Sequence, residues 1–206
     1  MAETKTAAIN TLGAGSIFNY GGIRWILLEH ARNAALCLAA DLLPDEKPFD
    51  AEGNNDWAGS SLRAYLNGDF MKELVAAGAD ADAFVEMVVD LTSDDGIDDY
   101  GTDRCKIALI SDAQYRRFRK IIHNANNWWW TITPFSTAKN GYSRVARAVS
   151  TSGALSSDYA YGGAVACARF AISNLLSWYL SIRRKQPTAP RARGTMNSTT
   201  ARRLWI

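Results

Sequence analysis

The chain has 206 residues, 48% of them hydrophobic and 11% aromatic, enough to bury a sizeable core as one domain or one domain with a tail. Its net charge of +2 is uneven: of 23 Lys and Arg, seven fall from Arg183 onward with no acidic residue among them, leaving 16 basic against 21 acidic side chains elsewhere, a net of −5. No apolar run reaches the roughly 20 residues of a membrane helix, so no membrane insertion is expected; the opening MAETKTAAINT lacks the basic-then-apolar order of a secretory signal, so synthesis in the cytoplasm without a signal peptide is expected.

In chain order, residues 1–12 read as an N-terminal arm. Strands are predicted around Ser16 to Asn19, Ile23 to Glu29 and Ala34 to Ala39, followed by a loop marked by Pro44 and Pro48. Trp57 to Phe70, WAGSSLRAYLNGDF, then carries a helix start, an aromatic anchor and a polar stop. Ser60 or Ser61 can cap the helix, and Leu62, Tyr65, Leu66 and Phe70 form one apolar stripe. Asn67 and Gly68 suit the left-handed conformation that ends helices, and Trp57 can fold back on the stripe like a hydrophobic staple. With only Arg63 and Asp69 ionisable, the stretch reads as packing rather than chemistry. A second short helix is predicted over Asp69 to Ala77, and Phe84 to Leu91 suits a strand or a helix end.

The acidic loop DLTSDDGIDDYGTD (Asp90 to Asp103) has oxygen ligands and a central glycine that could wrap calcium. It lacks the alternation and closing Glu of an EF-hand loop, so a solvated turn is expected and no cofactor or metal site is assigned. Cys105 to Ile110 reads as a buried strand, and Ser111 to His123 as a helix with a Ser111–Gln114 capping box. Its Tyr115, Phe118, Ile121 and Ile122 face inward; Arg116, Arg117, Arg119 and Lys120 spread outward. Such cations can bind phosphate, but they also suit a helix C-terminus, and without an RNA-binding or helix-turn-helix signature nucleic acid is not the expected partner. Cys37, Cys105 and Cys167 lie far apart in apolar runs and read as small buried hydrophobes.

The closing part, Asn124 to Gly163, mixes Trp and Tyr with Asn, Ser, Thr and Gly, the composition of recognition surfaces. Asn126, Asn127, Trp128, Trp130, Asn140, Tyr142, Ser143, Ser157, Asp158, Tyr159 and Tyr161 are its candidate ligand-binding residues. Strand alternation puts Trp128 and Trp130 on one face and Trp129 on the other, so at least one Trp belongs to the core. The tail from Arg183, rich in Arg, Pro, Ser and Thr and ending Leu204, Trp205 and Ile206, reads as a linker or interaction arm. No GxSxG elbow, phosphate loop or HExxH is present, LGAGSIFNYGG lacks the third glycine of a dinucleotide fingerprint, and no catalytic residue is assigned. The carboxylate pairs Glu52 with Asp56 and Asp69 with Glu73 would serve a glycosidase only at roughly 5 to 9 Å across a cleft.

The Trp57 to Phe70 stretch resembles a family of uncharacterised bacterial and phage domains with a WxxSxLRxWLNxxF signature, Tyr65 standing for the second Trp. Gly21 to Leu43 is similar to that family's opening strands, Cys105 to Phe118 to its apolar strand and Ser-capped helix, and Trp129 to Pro134 with Val149 to Ile172 to its WWLRSP-like strand, VxxxG hairpin and VRPA-like end. Ile132 replaces a usual Arg, Phe170 a usual Pro, and Gln114 an acidic residue. The resemblance covers roughly Gly13 to Ile172. It implies an α+β, C-type-lectin-like fold of short helices on small antiparallel sheets, shared with formylglycine-generating-enzyme domains and the variable proteins of diversity-generating retroelements. It also implies structural roles for Trp57, Ser60, Leu62, Arg63, Leu66, Phe70 and Arg169, and a domain over residues 13–182 followed by a tail over 183–206. Together the expectation is a non-catalytic, phage- or prophage-encoded protein that binds a protein or glycan on a cell surface through its closing loops. The alternative is a virion component docked on other virion proteins by the basic tail; oligomerisation stays open in both.

Overall fold

Local chemistry builds the first sheet. Strands β1 (Ile17–Tyr20) and β2 (Ile23–Ala31) are joined by Gly21 and Gly22, at φ 57° and 76°. Two consecutive positive φ values match the twist of a tight hairpin, which side-chain-bearing residues adopt with strain. Strand β3 (Ala34–Ala39) pairs antiparallel with β2, whose register shifts between Leu27 and Glu29. Trp25, Ile26, Leu27 and Leu28 are all buried, because core packs against both faces of β2; Trp25 and Leu27 join one cluster, Ile26 and Leu28 a second. The computed structural model describes residues 8–31 and 34–162, and the backbone of 170–173.

Next come helices α1 (Ser61–Asn67) and α2 (Asp69–Ala76), then strands β4 (Met87–Asp90), β5 (Thr102–Cys105) and β6 (Ile107–Leu109), and helix α3 (Asp112–Phe118). Strands β7 (Trp129–Pro134), β8 (Val145–Val149), β9 (Leu155–Tyr159) and β10 (Phe170–Ser173) complete the order. A five-stranded sheet runs β1-β2-β3-β10-β6, a two-stranded sheet pairs β4 with β5, and a three-stranded sheet runs β7-β8-β9, every pairing antiparallel. The fold is α+β, with short helices and small antiparallel sheets. The last described strand fills the gap between β3 and β6, so the two ends of the domain close one sheet. No helix among the described residues is long and apolar enough to cross a membrane.

The Trp57 to Phe70 stretch folds as its pattern dictates except at its stop, where Gly68 ends the helix at φ −110° rather than in the left-handed region. Ser60 is the cap, its hydroxyl accepting from Arg63 N at 3.2 Å, and Asp50 adds a second acceptor for Ser61 N at 2.9 Å. Trp57, Leu62 and Leu66 are buried, as is Phe70, and Trp57 meets Phe49 edge to face at 6.0 Å. Arg63 pairs through both Nε and Nη2 with Asp103, at 2.5 and 2.9 Å, clamping α1 to β5. Arg169 and Cys167 lie outside the described residues, as does the tail from Arg183.

Two expectations are corrected. The run from Cys105 to Ile110 is not one strand: β5 ends at Cys105 and β6 begins at Ile107 in a different sheet. Asn67 holds that break, accepting from Lys106 N and Ile107 N at 3.0 Å each and donating to Ile107 O at 2.8 Å. The capping box on α3 is present, but the helix stops at Phe118 rather than His123. There Ile121 N bonds Phe118 O in a tightened last turn, and the Arg119 guanidinium takes the Ile122 carbonyl. Within the N-terminal arm, Ile9 sits in a short 3₁₀ turn and packs into the core.

Candidate functional site

The site begins with a residue the sequence reading passed over. Asn55 is fully buried; its amide nitrogen donates to the carbonyls of Ser136, Tyr142 and Val145 at 2.7 to 2.9 Å, and its backbone N–H to Ser143 O at 2.7 Å. Its oxygen accepts the Tyr100 hydroxyl at 2.9 Å, and that hydroxyl accepts Ala138 N at 3.1 Å. One amide thus fixes both ends of the loop between β7 and β8. In sequence, Asn54-Asn55-Asp56 looks like an ordinary turn before a helix; nothing in residue type marks the second Asn as a hub.

On that frame sits a row of aromatics. Phe135 N donates to Val145 O, and Val145 pairs with Tyr159 across β8 and β9. Tyr142 lies edge to face with Phe135 at 5.5 Å, and Tyr159 stacks on Tyr161 at 5.4 Å with ring planes 22° apart. All four rings are exposed, the three tyrosines by about half. Tyr161 also covers Gly53, where an added Cβ would come within 2.9 Å of its ring.

An open depression of about 440 Å³ adjoins Phe135 and Tyr142 and is lined also by Asp94, Asp95, Ser136 and Asn140. Asp95 accepts from the Ser93 and Ser136 hydroxyls at 2.5 and 2.6 Å, and the Ser136 contact, followed by that of Ser93, holds its carboxyl below the ordinary 3.8. Beneath, Asp112 is almost fully buried and accepts Arg147 Nε at 3.0 Å and the Thr131 hydroxyl at 2.7 Å; Asp94 faces Arg116 and Arg147 at 3.6 Å each. A buried carboxylate needs such partners to remain charged.

The eleven candidate binding residues therefore do not form one site. Asn140, Tyr142, Tyr159 and Tyr161 lie along the aromatic row or its depression, with Ser143 and Asp158 as their chain neighbours; Ser157 pairs with Arg147 across β8 and β9. Asn126 and Asn127 line a separate cleft of about 650 Å³ between the loop after β3, strand β2 and the segment after α3, where Arg24 pairs with Asp41 and Asn127 with Glu46. Trp130 is corrected: it is fully buried, 5.9 Å from Phe49, with its indole N–H on Lys47 O, so it offers a ligand no surface. Trp129 is buried in the other cluster, 5.4 Å from Tyr115, and Trp128 is half-buried. Phe135 and Asp95, which line the depression, stand out in sequence only as members of an aromatic-rich stretch and of the acidic loop.

Other features point inward. Asp94, Asp95 and Asp103 each take different protein partners, and among the described residues no group of three His, Cys, Asp or Glu is placed to hold a metal ion. Three of the four cations in and just after α3 are engaged: Arg116 with Asp94, Arg117 with Glu29, and Arg119 with Asn124 and over the Tyr115 ring. Burial pushes the Cys37 thiol up to about 12 and Cys105 up to about 11, well away from thiolate chemistry at neutral pH. No protein-family model, curated protein or solved structure matches the chain.

Proposed function

We propose that this chain is a non-catalytic ligand-binding protein of C-type-lectin-like architecture that recognises a protein or glycan surface through the aromatic end of the β7-β8-β9 sheet. The observation that carries this reading is the row of exposed rings Tyr142, Phe135, Tyr159 and Tyr161, two ring pairs linked through half-buried Val145 by backbone bonding and strand register. A single exposed aromatic is ordinary, whereas a contiguous row is the surface that partners bury. Tyrosines give contact area at little cost in side-chain entropy, and the neighbouring Asn140, Ser143 and Asp158 supply adaptable hydrogen bonds. Asn55 holds the supporting loop before any ligand arrives, which lowers the entropy cost of binding.

The test is a screen of the full chain against glycan and cell-surface protein panels, repeated with Tyr142→Ala and Tyr159→Ala. The expected result is a ligand whose binding falls at least about tenfold in one or both variants, as at interface hot spots, while their melting temperatures match the parent's. A ligand bound equally well by parent and both variants would overturn the reading.

A further inference from the structure

The depression beside Phe135 differs from the rest of the aromatic row in its charge. Asp94 and Asp95 are neighbours in sequence, yet their surroundings are opposite. Asp94 faces two guanidinium groups, Arg116 and Arg147, each at 3.6 Å. Among the described residues Asp95 is met only by neutral donors: the hydroxyls of Ser93 and Ser136, the Asn140 amide at 3.3 Å and the Ile97 backbone N–H. Its negative charge is thus held in place without being offset. Two ring planes inclined at 65° form adjacent walls of the same depression. The donors that face the carboxylate are all neutral, so two aromatic rings stand beside a charge that no side-chain cation offsets. A neutral sugar asks a site for donors as well as acceptors; an organic cation asks for carboxylate oxygens and ring faces.

We infer that the depression formed by Asp95, Phe135, Tyr142 and Asn140 is a cation-binding pocket for a guanidinium or alkylammonium group, presented as an Arg or Lys side chain by a protein ligand. This rests on the ligand-binding reading above and narrows it from a protein or glycan surface to a basic protein segment. The cation sits against Phe135 and Tyr142 and offsets the charge of Asp95. Ser93 and Ser136 fix that carboxylate from behind, and its lowered pKa keeps it ionised throughout the neutral range.

The full chain is titrated by fluorescence anisotropy into a labelled octapeptide alternating Gly with Arg, and into its Gly–Gln counterpart, at low and at physiological salt. The Arg peptide is expected to bind at least about tenfold tighter, less so as salt rises. Asp95→Asn should weaken it about tenfold, and Tyr142→Ala, on a half-exposed ring that the fold does not need, about fivefold. Asp98→Asn removes an equal charge from an exposed position in the same loop and should leave binding within about twofold, because only a local contact discriminates between the two. Equal affinity for the two peptides, Arg-peptide binding untouched by both Asp95→Asn and Tyr142→Ala, or equal losses in Asp95→Asn and Asp98→Asn would each overturn the inference. Such failure is separable from failure of the parent reading, which the Tyr159→Ala variant tests on ligands from the wider screen.

Discussion

Residues 49–70 and residues 135–161 use the same chemistry to opposite ends. In the first, polar side chains turn inward: Asp50 caps α1, Asn55 binds three carbonyls, Arg63 takes Asp103, and Asn67 pins the break between β5 and β6. In the second, the backbone is equally well bonded, but Tyr142, Tyr159 and Tyr161 stand about half exposed. Most of the difference traces to Asn55, whose bonds run from the first region to the backbone of the second. Satisfying the loop's carbonyls from within leaves the exposed rings Phe135 and Tyr142 free of that duty. A fold that displays aromatic groups has to anchor the chain that carries them by other means, and here the anchor lies about 80 residues upstream.

Substitutions can break that contrast, and the largest effects fall on the inward region. Trp57→Ala empties a site with no solvent exposure and should cost about 3–5 kcal/mol, at the upper end for aromatic truncation. For a chain of this size that lowers the melting temperature by roughly 6 to 20 °C in a thermal unfolding scan. Next is Asn55→Asp, which keeps shape while replacing two donors by a carboxylate facing three carbonyl oxygens. A cost of about 3 kcal/mol is expected, from unpaired buried acceptors and an unpaired charge. Hydrogen exchange should rise first at Ala138, Asn140 and Tyr142, the loop amides nearest the hub. An unchanged exchange pattern would show that packing, not this amide, fixes the loop.

Much of the inward region was legible in sequence because its signals are local. The cap at Ser60, the stripe of Leu62, Leu66 and Phe70, the Ser111–Gln114 box and the three opening strands all follow from residue type and spacing within a few positions. The split of Cys105 to Ile110 was not legible, because a run of apolar residues has the same period whether it lies in one sheet or crosses between two; Asn67 imposes the break from about 40 residues away. Asn55 was hidden for the same reason. The tyrosines were picked out by composition, yet composition cannot tell Trp130, sealed against Phe49, from Tyr142, open to solvent. Nor can it separate Asp95 from Asp94, since the arginines that offset Asp94 come from α3 and β8.

An intermediate effect is expected at Arg63, whose ion pair with Asp103 is bidentate but partly exposed. Arg63→Ala should cost about 1–2 kcal/mol, reduced from the buried-pair range by solvent screening. Arg63→Lys should recover less than half, because an ammonium cannot make the paired contact and reach the Arg104 carbonyl as well. Full recovery by lysine in chemical denaturation would mean that charge alone, rather than forked geometry, clamps α1 to β5.

The smallest effects on stability belong to the display region. Tyr159→Ala should change unfolding free energy by less than about 0.5 kcal/mol, since the ring is half exposed and its backbone pairing with Val145 survives the truncation. Asp95 gives the corresponding pH test. Its carboxyl is held below 3.8 in the folded chain by Ser136 and Ser93, so whatever it contributes to stability is complete above 3.8 and lost as pH falls through its lower folded value. The side-chain amide resonance of Asn140 should therefore titrate with a midpoint below 3.8. A midpoint above 3.8 would mean that Asp95 takes a proton readily, and a pocket built on its charge would then lose its basis. Constant stability in Tyr159→Ala together with a low Asn140 midpoint would instead sharpen the contrast, because rings and carboxylate alike would be positioned by the scaffold without contributing much to it.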